Sequence, residues 1–312
     1  MVERIINNKR LSTRGFEDLY PFESHFVTLD GHRLHYVDQG QGPPILMVHG
    51  NPTWSFYFRH MIQHLSGKYR TIVPDHVGCG FSDKPPAGSL PGSYDYTLAS
   101  RVRDLDGLIR HLDLFQGPHD KISLMVHDWG GMIGLAWALD NLDRVDKVII
   151  TNTSGFLLPR DKSFPLVLWM IKYLTYAAIP AVLGLNIFSL GAAFIGSSKR
   201  LPPAVRKGLT APYNNWKNRI ATLKFVQDIP INKKDRCFSL VERVDQNLTR
   251  LDPDRLLFLW GARDFVFDKK FLKEFMNRFP GARSHVFEDA GHYLFEDKPE
   301  LCLALIEDFL HA

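Results

Sequence analysis

Cysteine is scarce: Cys79, Cys237 and Cys302 are the only three in 312 residues, widely separated and without CxxC spacing. That excludes a disulfide framework and a zinc site of ordinary ligand spacing, and predicts buried free thiols in a reducing compartment. A surplus of one charge is also missing. The net charge is +4 at pH 7, with no basic stripe interleaved with aromatics, so nucleic acid is not an expected partner. There is no internal repeat or low-complexity tract, and 23 Gly and 19 Pro are ordinary usage. The first 20 residues, MVERIINNKRLSTRGFEDLY, carry charges throughout and no apolar core. They predict no signal peptide and a cytoplasmic protein. One internal stretch lacks charge altogether, Tyr173 to Ser198. Its length permits a transmembrane helix, but Pro180, Gly184, Asn186 and Gly191 interrupt it.

What is present is 45% hydrophobic residues, ample for one large core. Phe26 to Gln39, FVTLDGHRLHYVDQ, alternates as two antiparallel strands joined near Asp30-Gly31. Ile45 to Val48 reads as a strand, Trp54 to Leu65 as a helix, Tyr69 to Pro74 as a strand and Leu98 to Leu112 as a helix. Such alternation predicts a mostly parallel, doubly wound α/β sheet. It breaks after Thr153, where roughly Gly155 to Pro230 has helical character without strand signals. The expected organisation is a core of residues 1–154 and 231–312, with a helical cap of 155–230 inserted above the strand ends. Gln227 to Leu248 returns the chain to the core.

The most informative segment is Lys121 to Gly131, KISLMVHDWGG. A short apolar run meets Gly130-Gly131, and the periodic helix Met132 to Leu139 follows, which is the pattern of a nucleophile elbow. The residue at its tip is Asp128. A carboxylate, with a reference pKa of about 3.9, is already an anion at neutral pH and needs no base to activate it. It suits attack on saturated carbon, giving an ester that a general base must then hydrolyse. Two later strand ends supply partners. Arg255 to Gly261 is followed by Asp264, and Ser284 to Phe287 by Asp289, Ala290, Gly291 and His292. The order Asp128, Asp264, His292 is that of α/β-hydrolases, with Asp264 as acid and His292 as base. Asp268 lies close by, and either aspartate suits the cap of a helix starting near Lys269. Upstream, Asn51 in His49-Gly50-Asn51-Pro52 and Trp129 after the nucleophile supply N–H donors beside Asp128. His127, His49 and His76 read as backbone-bonded histidines without a part in proton transfer.

On these motifs, HGNPTW, HDWG and AGH, the chain from about His32 to Leu310 resembles the haloalkane dehalogenase family of α/β-hydrolases. The resemblance implies an eight-stranded, mostly parallel sheet with an inserted cap. It implies Asp128 as nucleophile, His292 as base and Asn51 with Trp129 as halide-stabilising donors. Some members take their acid after the strand that follows the elbow helix. Here Lys147 to Ile150 leads into Thr151-Asn152-Thr153-Ser154, with no carboxylate, and Asp264 is left as the acid. The same subset also resembles β-lactone decarboxylases of olefin biosynthesis. The expected activity is therefore a haloalkane dehalogenase-like hydrolysis, with decarboxylation of long-chain cis-β-lactones as the alternative. Epoxide hydrolysis stands third. It needs cap tyrosines facing Asp128, for which Tyr173, Tyr176 and Tyr213 are the candidates, and Asn51 argues against it. No metal or organic cofactor is implied; the partners are a lipophilic substrate, water and a halide ion. The apolar cap predicts a tunnel for a long alkyl substrate together with a surface for self-association or for docking on a membrane or partner enzyme.

Overall fold

Near-continuous apolar runs become strands that are buried on both faces. The computed structural model describes residues 4–6, 9–117 and 120–312. Residues 1–3 and 7–8, within the stretch read as lacking a signal peptide, and 118–119 lie outside the described residues. A short antiparallel ribbon, β1 (Arg4–Ile6) and β2 (Lys9–Leu11), precedes the main sheet. That sheet holds β3 (His25–Leu29), β4 (His32–Gln39), β5 (Pro44–Val48), β6 (Arg70–Pro74), β7 (Ile122–Asp128), β8 (Val145–Thr153), β9 (Leu256–Gly261) and β10 (Arg283–Phe287). Their spatial order is β10-β9-β8-β7-β5-β6-β4-β3. Only the β3–β4 and β4–β6 pairings are antiparallel. Every residue of β7 and β9 is buried, as expected of parallel strands covered on both sides. The expected hairpin turns at Asp30 and Gly31, both at positive φ, the twist that suits a two-residue turn.

Helices cover both faces. α1 (Arg59–Leu65), α2 (Leu98–His111) and α3 (Trp129–Asp140) alternate with the strands. A capping box between Thr97 and Ser100 starts α2. α3 begins three residues earlier than its periodicity predicts, directly at Trp129, and Gly130 to Leu139 are all buried. Along β7, Leu124 and Val126 join one core cluster and Met125 the cluster on the opposite face, the two-residue alternation of a strand.

Between β8 and β9 run α4 (Leu166–Tyr173), α5 (Thr175–Ala178), a π-helical turn (Ile179–Gly184), α6 (Ile187–Ile195), α7 (Pro203–Thr210), α8 (Ile220–Gln227) and α9 (Phe238–Asn247). Leu168, Ile171, Val182, Leu183, Leu223 and Val226 form a separate small core within this segment. α9 instead packs on α3 of the main layer. Among the described residues no single helix is long and apolar enough to cross a membrane. α4 and Thr175–Gly184 reach that length only as a pair bent by 99°. α10 (Lys269–Arg278), α11 (Leu294–Asp297) and α12 (Pro299–His311) complete the layers.

Candidate active site

Asp128 ends β7 with φ 53° and ψ −130°, a strained conformation that lifts its side chain out of the sheet. It stands at the N-cap position of α3, yet its side chain makes no capping bond, so the bland role of a helix cap is not the one it plays. The close approach around it requires glycine. A β-carbon at Gly130 would meet the Val48 carbonyl, one at Gly131 the Thr153 hydroxyl, and one at Gly50 the Asp128 carboxylate itself. The Thr153 hydroxyl donates to the Asp128 backbone carbonyl. The Asn51 backbone N–H donates to Asp128 Oδ1 at 2.7 Å, while Oδ2 faces His292 Nε2 at 3.5 Å.

His292 Nδ1 lies 2.7 Å from Asp264 Oδ2. Burial opposes the imidazolium, but the Asp264 carboxylate and the contact with Asp128 outweigh it, and the imidazole is pushed up to about 10. Asp264 is held in turn by the Val266 and Phe267 N–H groups, at 2.8 and 3.1 Å, and by Asn152 Nδ2 at 3.0 Å. Burial favours its neutral form, yet the charge and hydrogen bond of His292 and these donors keep its carboxyl below the usual range. Asp268 takes the other role weighed for the pair, accepting from Lys270 N as the cap of α10.

Asn152 is the residue that sequence reasoning passed over. It occupies the strand-end position inspected for a carboxylate, and its amide bridges Asp264 to both backbone groups of Gly261. The available signal was an amide at a strand end facing an acid on the next strand.

The two donors are placed differently from each other. Asn51 Nδ2 donates one hydrogen to the Thr222 carbonyl on α8 at 3.0 Å, leaving its second hydrogen for the cavity, and Asn51 Oδ1 is buried without a partner. Trp129 is part-exposed, with Phe225 of α8 beside its ring at 5.5 Å. The other histidines bond to backbone as expected. His127 pairs with the His292 carbonyl at 2.9 Å, His49 with the Gly50 carbonyl at 2.8 Å, and His76 with the His49 carbonyl at 2.8 Å. Burial and the neighbouring His292 push His127 down to about 3, and burial lowers His49 and His76. All three are neutral.

Above Asp128 lies a cavity of about 280 Å³. Asn51, Asp128, Trp129 and His292 bring polar groups to it; among the described residues Ser154 is the one other polar side chain on its wall, and its hydroxyl is taken by the Phe156 carbonyl. The remainder is apolar, with Leu168, Ile171 and Phe188 from the cap facing Met132, Phe267 and Phe271 from the core. No tyrosine lines it. Tyr176 projects into solvent, Tyr173 accepts from Asn232, and buried Tyr213 donates to the Thr53 carbonyl. The cap tyrosines that epoxide opening needs do not face Asp128. Among the described residues no group of three or more His, Cys, Asp and Glu converges as a metal set, and the three cysteines are free and buried.

A family model described as the alpha/beta hydrolase fold matches residues 43–299. A cis-3-alkyl-4-alkyloxetan-2-one decarboxylase of Shewanella oneidensis is 43% identical over 296 residues, covering 94% of this chain and 90% of the relative. Haloalkane dehalogenase 2 of Mycobacterium tuberculosis is 31% identical over 299 residues, covering 93% and 96%. Among solved structures, the haloalkane dehalogenase DatA of Agrobacterium tumefaciens superposes with a TM-score of 0.78 at 25% identity, covering 93% of this chain and 96% of that one.

Proposed function

The chain belongs to the alpha/beta hydrolase fold family, and from that premise we propose that it is a lyase opening cis-β-lactones with two alkyl chains and releasing an alkene and carbon dioxide. The observation that carries this reading is the cavity wall, which offers nothing polar to a substrate beyond the cluster around Asp128. The 43% identity to an oxetanone decarboxylase supports it and moves it ahead of alkyl halide hydrolysis.

In the proposed reaction an Asp128 oxygen attacks the ring carbon that bears the ring oxygen. The C–O bond breaks, and its electron pair leaves on what becomes a carboxylate still attached to the neighbouring carbon. The bond from that carbon to the carboxylate then breaks, its pair forms the C=C bond, and the Asp128 carboxylate departs with the electrons of its ester bond. Inversion at the first step and antiperiplanar departure at the second together preserve the cis arrangement. No water is consumed. The Asn51 and Trp129 N–H groups meet the expelled carboxylate, and the His292 imidazolium supplies positive charge beside it.

The second reading is hydrolysis of an alkyl halide, favoured by the Trp129 indole N–H, which has no protein acceptor among the described residues and suits a halide. One experiment separates the two. The protein is given a dialkyl cis-β-lactone and, separately, a bromoalkane in H₂¹⁸O, while alkene, halide and intact mass are followed. The lyase yields alkene with no ¹⁸O entering Asp128, and His292→Ala accumulates no alkylated protein. Halide release, ¹⁸O in Asp128 and an alkyl adduct trapped in His292→Ala would overturn it in favour of hydrolysis.

A further inference from the structure

The outer face of the cap differs from the rest of the surface in two independent respects. Thirteen of the sixteen exposed large apolar side chains among the described residues lie within 155–230. Tyr176 and Leu185 are 97% and 73% exposed, Leu174 and Phe194 are exposed as well, and the elements from α4 to α6 touch in succession. Val167, Ile187 and Ile195 are exposed and also line the cavity, so its mouth opens within this apolar face. A single-chain protein rarely leaves so extended an apolar patch without a use.

Charge is the second respect. Residues 155–230 contain ten Lys or Arg against two Asp, while the whole chain is only +4, so the remainder of the molecule is net negative. One of the two acids, Asp228, is buried against the start of α2. Four of the ten cations stand close to the exposed apolar residues in contact or in sequence. Arg206 stacks on exposed Phe194 at 4.7 Å, Arg219 donates to the Leu183 and Gly184 carbonyls beside Leu185, and Arg200 and Lys217 are exposed close in sequence to Ile195 and Trp216.

We propose that this face docks on an anionic phospholipid bilayer and turns the cavity mouth toward the acyl chains, so that a lipophilic substrate enters from the lipid. An apolar centre with a cationic border matches the interfacial region below a layer of negative headgroups. A second copy of the chain matches it poorly, because a two-fold interface would set this cationic border against itself. The proposal holds for either reaction considered above.

The test is flotation of the purified full chain with vesicles of phosphatidylcholine alone and with phosphatidylglycerol added. The wild type floats with the anionic vesicles, and binding falls more than about tenfold on phosphatidylcholine alone or at high salt, since each interfacial cation contributes about fivefold. Tyr176→Glu with Leu185→Glu, two side chains that project into water and do not line the cavity, lowers binding about tenfold or more while Tm is unchanged. Arg200→Glu with Lys217→Glu removes the preference for anionic vesicles. Failure of the wild type to float with either vesicle, or binding by both double variants equal to that of the wild type, overturns the proposal. So does a stable oligomer that Tyr176→Glu with Leu185→Glu converts to monomer, which would assign the face to a second copy.

Discussion

His292 stands between two carboxylates, and its charge depends on both of them. With Asp264 at 2.7 Å and Asp128 at 3.5 Å it is an imidazolium in the free protein. Esterification of Asp128 removes one of those negative charges, which lowers the affinity of the imidazole for its proton. In the proposed reaction Asp128 would thereby keep the histidine charged before attack and weaken its hold on the proton afterwards. The same placement makes a stability statement. The folded value, about 10, lies above the ordinary 6.5, so the interaction stabilises fully below pH 6.5 and fades as pH rises toward 10. Other buried groups titrate in that window, Lys84 among them at about 8, so the informative quantity is a difference between proteins. The Tm advantage of wild type over His292→Gln is expected to shrink from pH 6.5 to 10, and that of Asp128→Asn over Asp128→Asn/His292→Gln to shrink at lower pH. An advantage flat across the range in thermal melts would mean that the imidazole is neutral in the fold.

At the level of elements, the elbow was legible because its requirements are local. An apolar run fixes β7, and Gly130-Gly131 allow α3 to start against Val48 and Thr153. The partners Asp264 and His292 were legible from strand ends, since a side chain just past a parallel strand faces the crevice. Asn152 was not, because its role depends on which strand lies next to β8, a non-local fact that composition and period do not carry. β8 runs to Thr153, beyond the Ile150 that its apolar run predicts, and there Asn152 holds the end of β9 through both backbone groups of Gly261. Asn152→Ala is expected to let the Asp264 loop drift and to lower turnover about 10–100-fold, the usual consequence of misplacing a catalytic group by an ångström or less. Asn152→Asp is expected to be worse, since a second carboxylate beside Asp264 raises the proton affinity of that acid. Steady-state rates of the two variants against wild type check this, and equal rates for all three would leave Asn152 a purely structural bolt.

For the whole molecule the question is what fixes the cap over the core. Its path could not be read beforehand, because the uncharged run from Tyr173 to Ser198 has no single period and, from the last residue of α4, folds as α5, a π-helical turn and α6. Apolar contacts of Leu201, Val205 and Leu209 with the core are joined by several polar ones, Trp54 Nε1 with the Gly208 carbonyl and Tyr213 with the Thr53 carbonyl among them, and two polar contacts lie beside the site. Asn51 reaches α8 through the Thr222 carbonyl, so a core donor of the site also holds the cap. At the exit of α6, buried Asp297 accepts from the Ser197 hydroxyl, Ser198 N and Gly291 N, and Gly196 accepts from Tyr293 N at 2.6 Å. The loop that carries His292 is thus clasped to the exit of α6. Asp297→Ala leaves buried donors unsatisfied and is expected to cost about 1–3 kcal/mol in denaturant unfolding. A uniform weakening would stop there. Release of the clasp should in addition speed proteolytic cleavage within 160–235 relative to the rest of the chain and raise KM more than it lowers kcat, because Leu168, Ile171 and Phe188 of the cap line the cavity. Limited proteolysis with an unchanged cleavage pattern would show that the Asp297 clasp is incidental to how the cap is held.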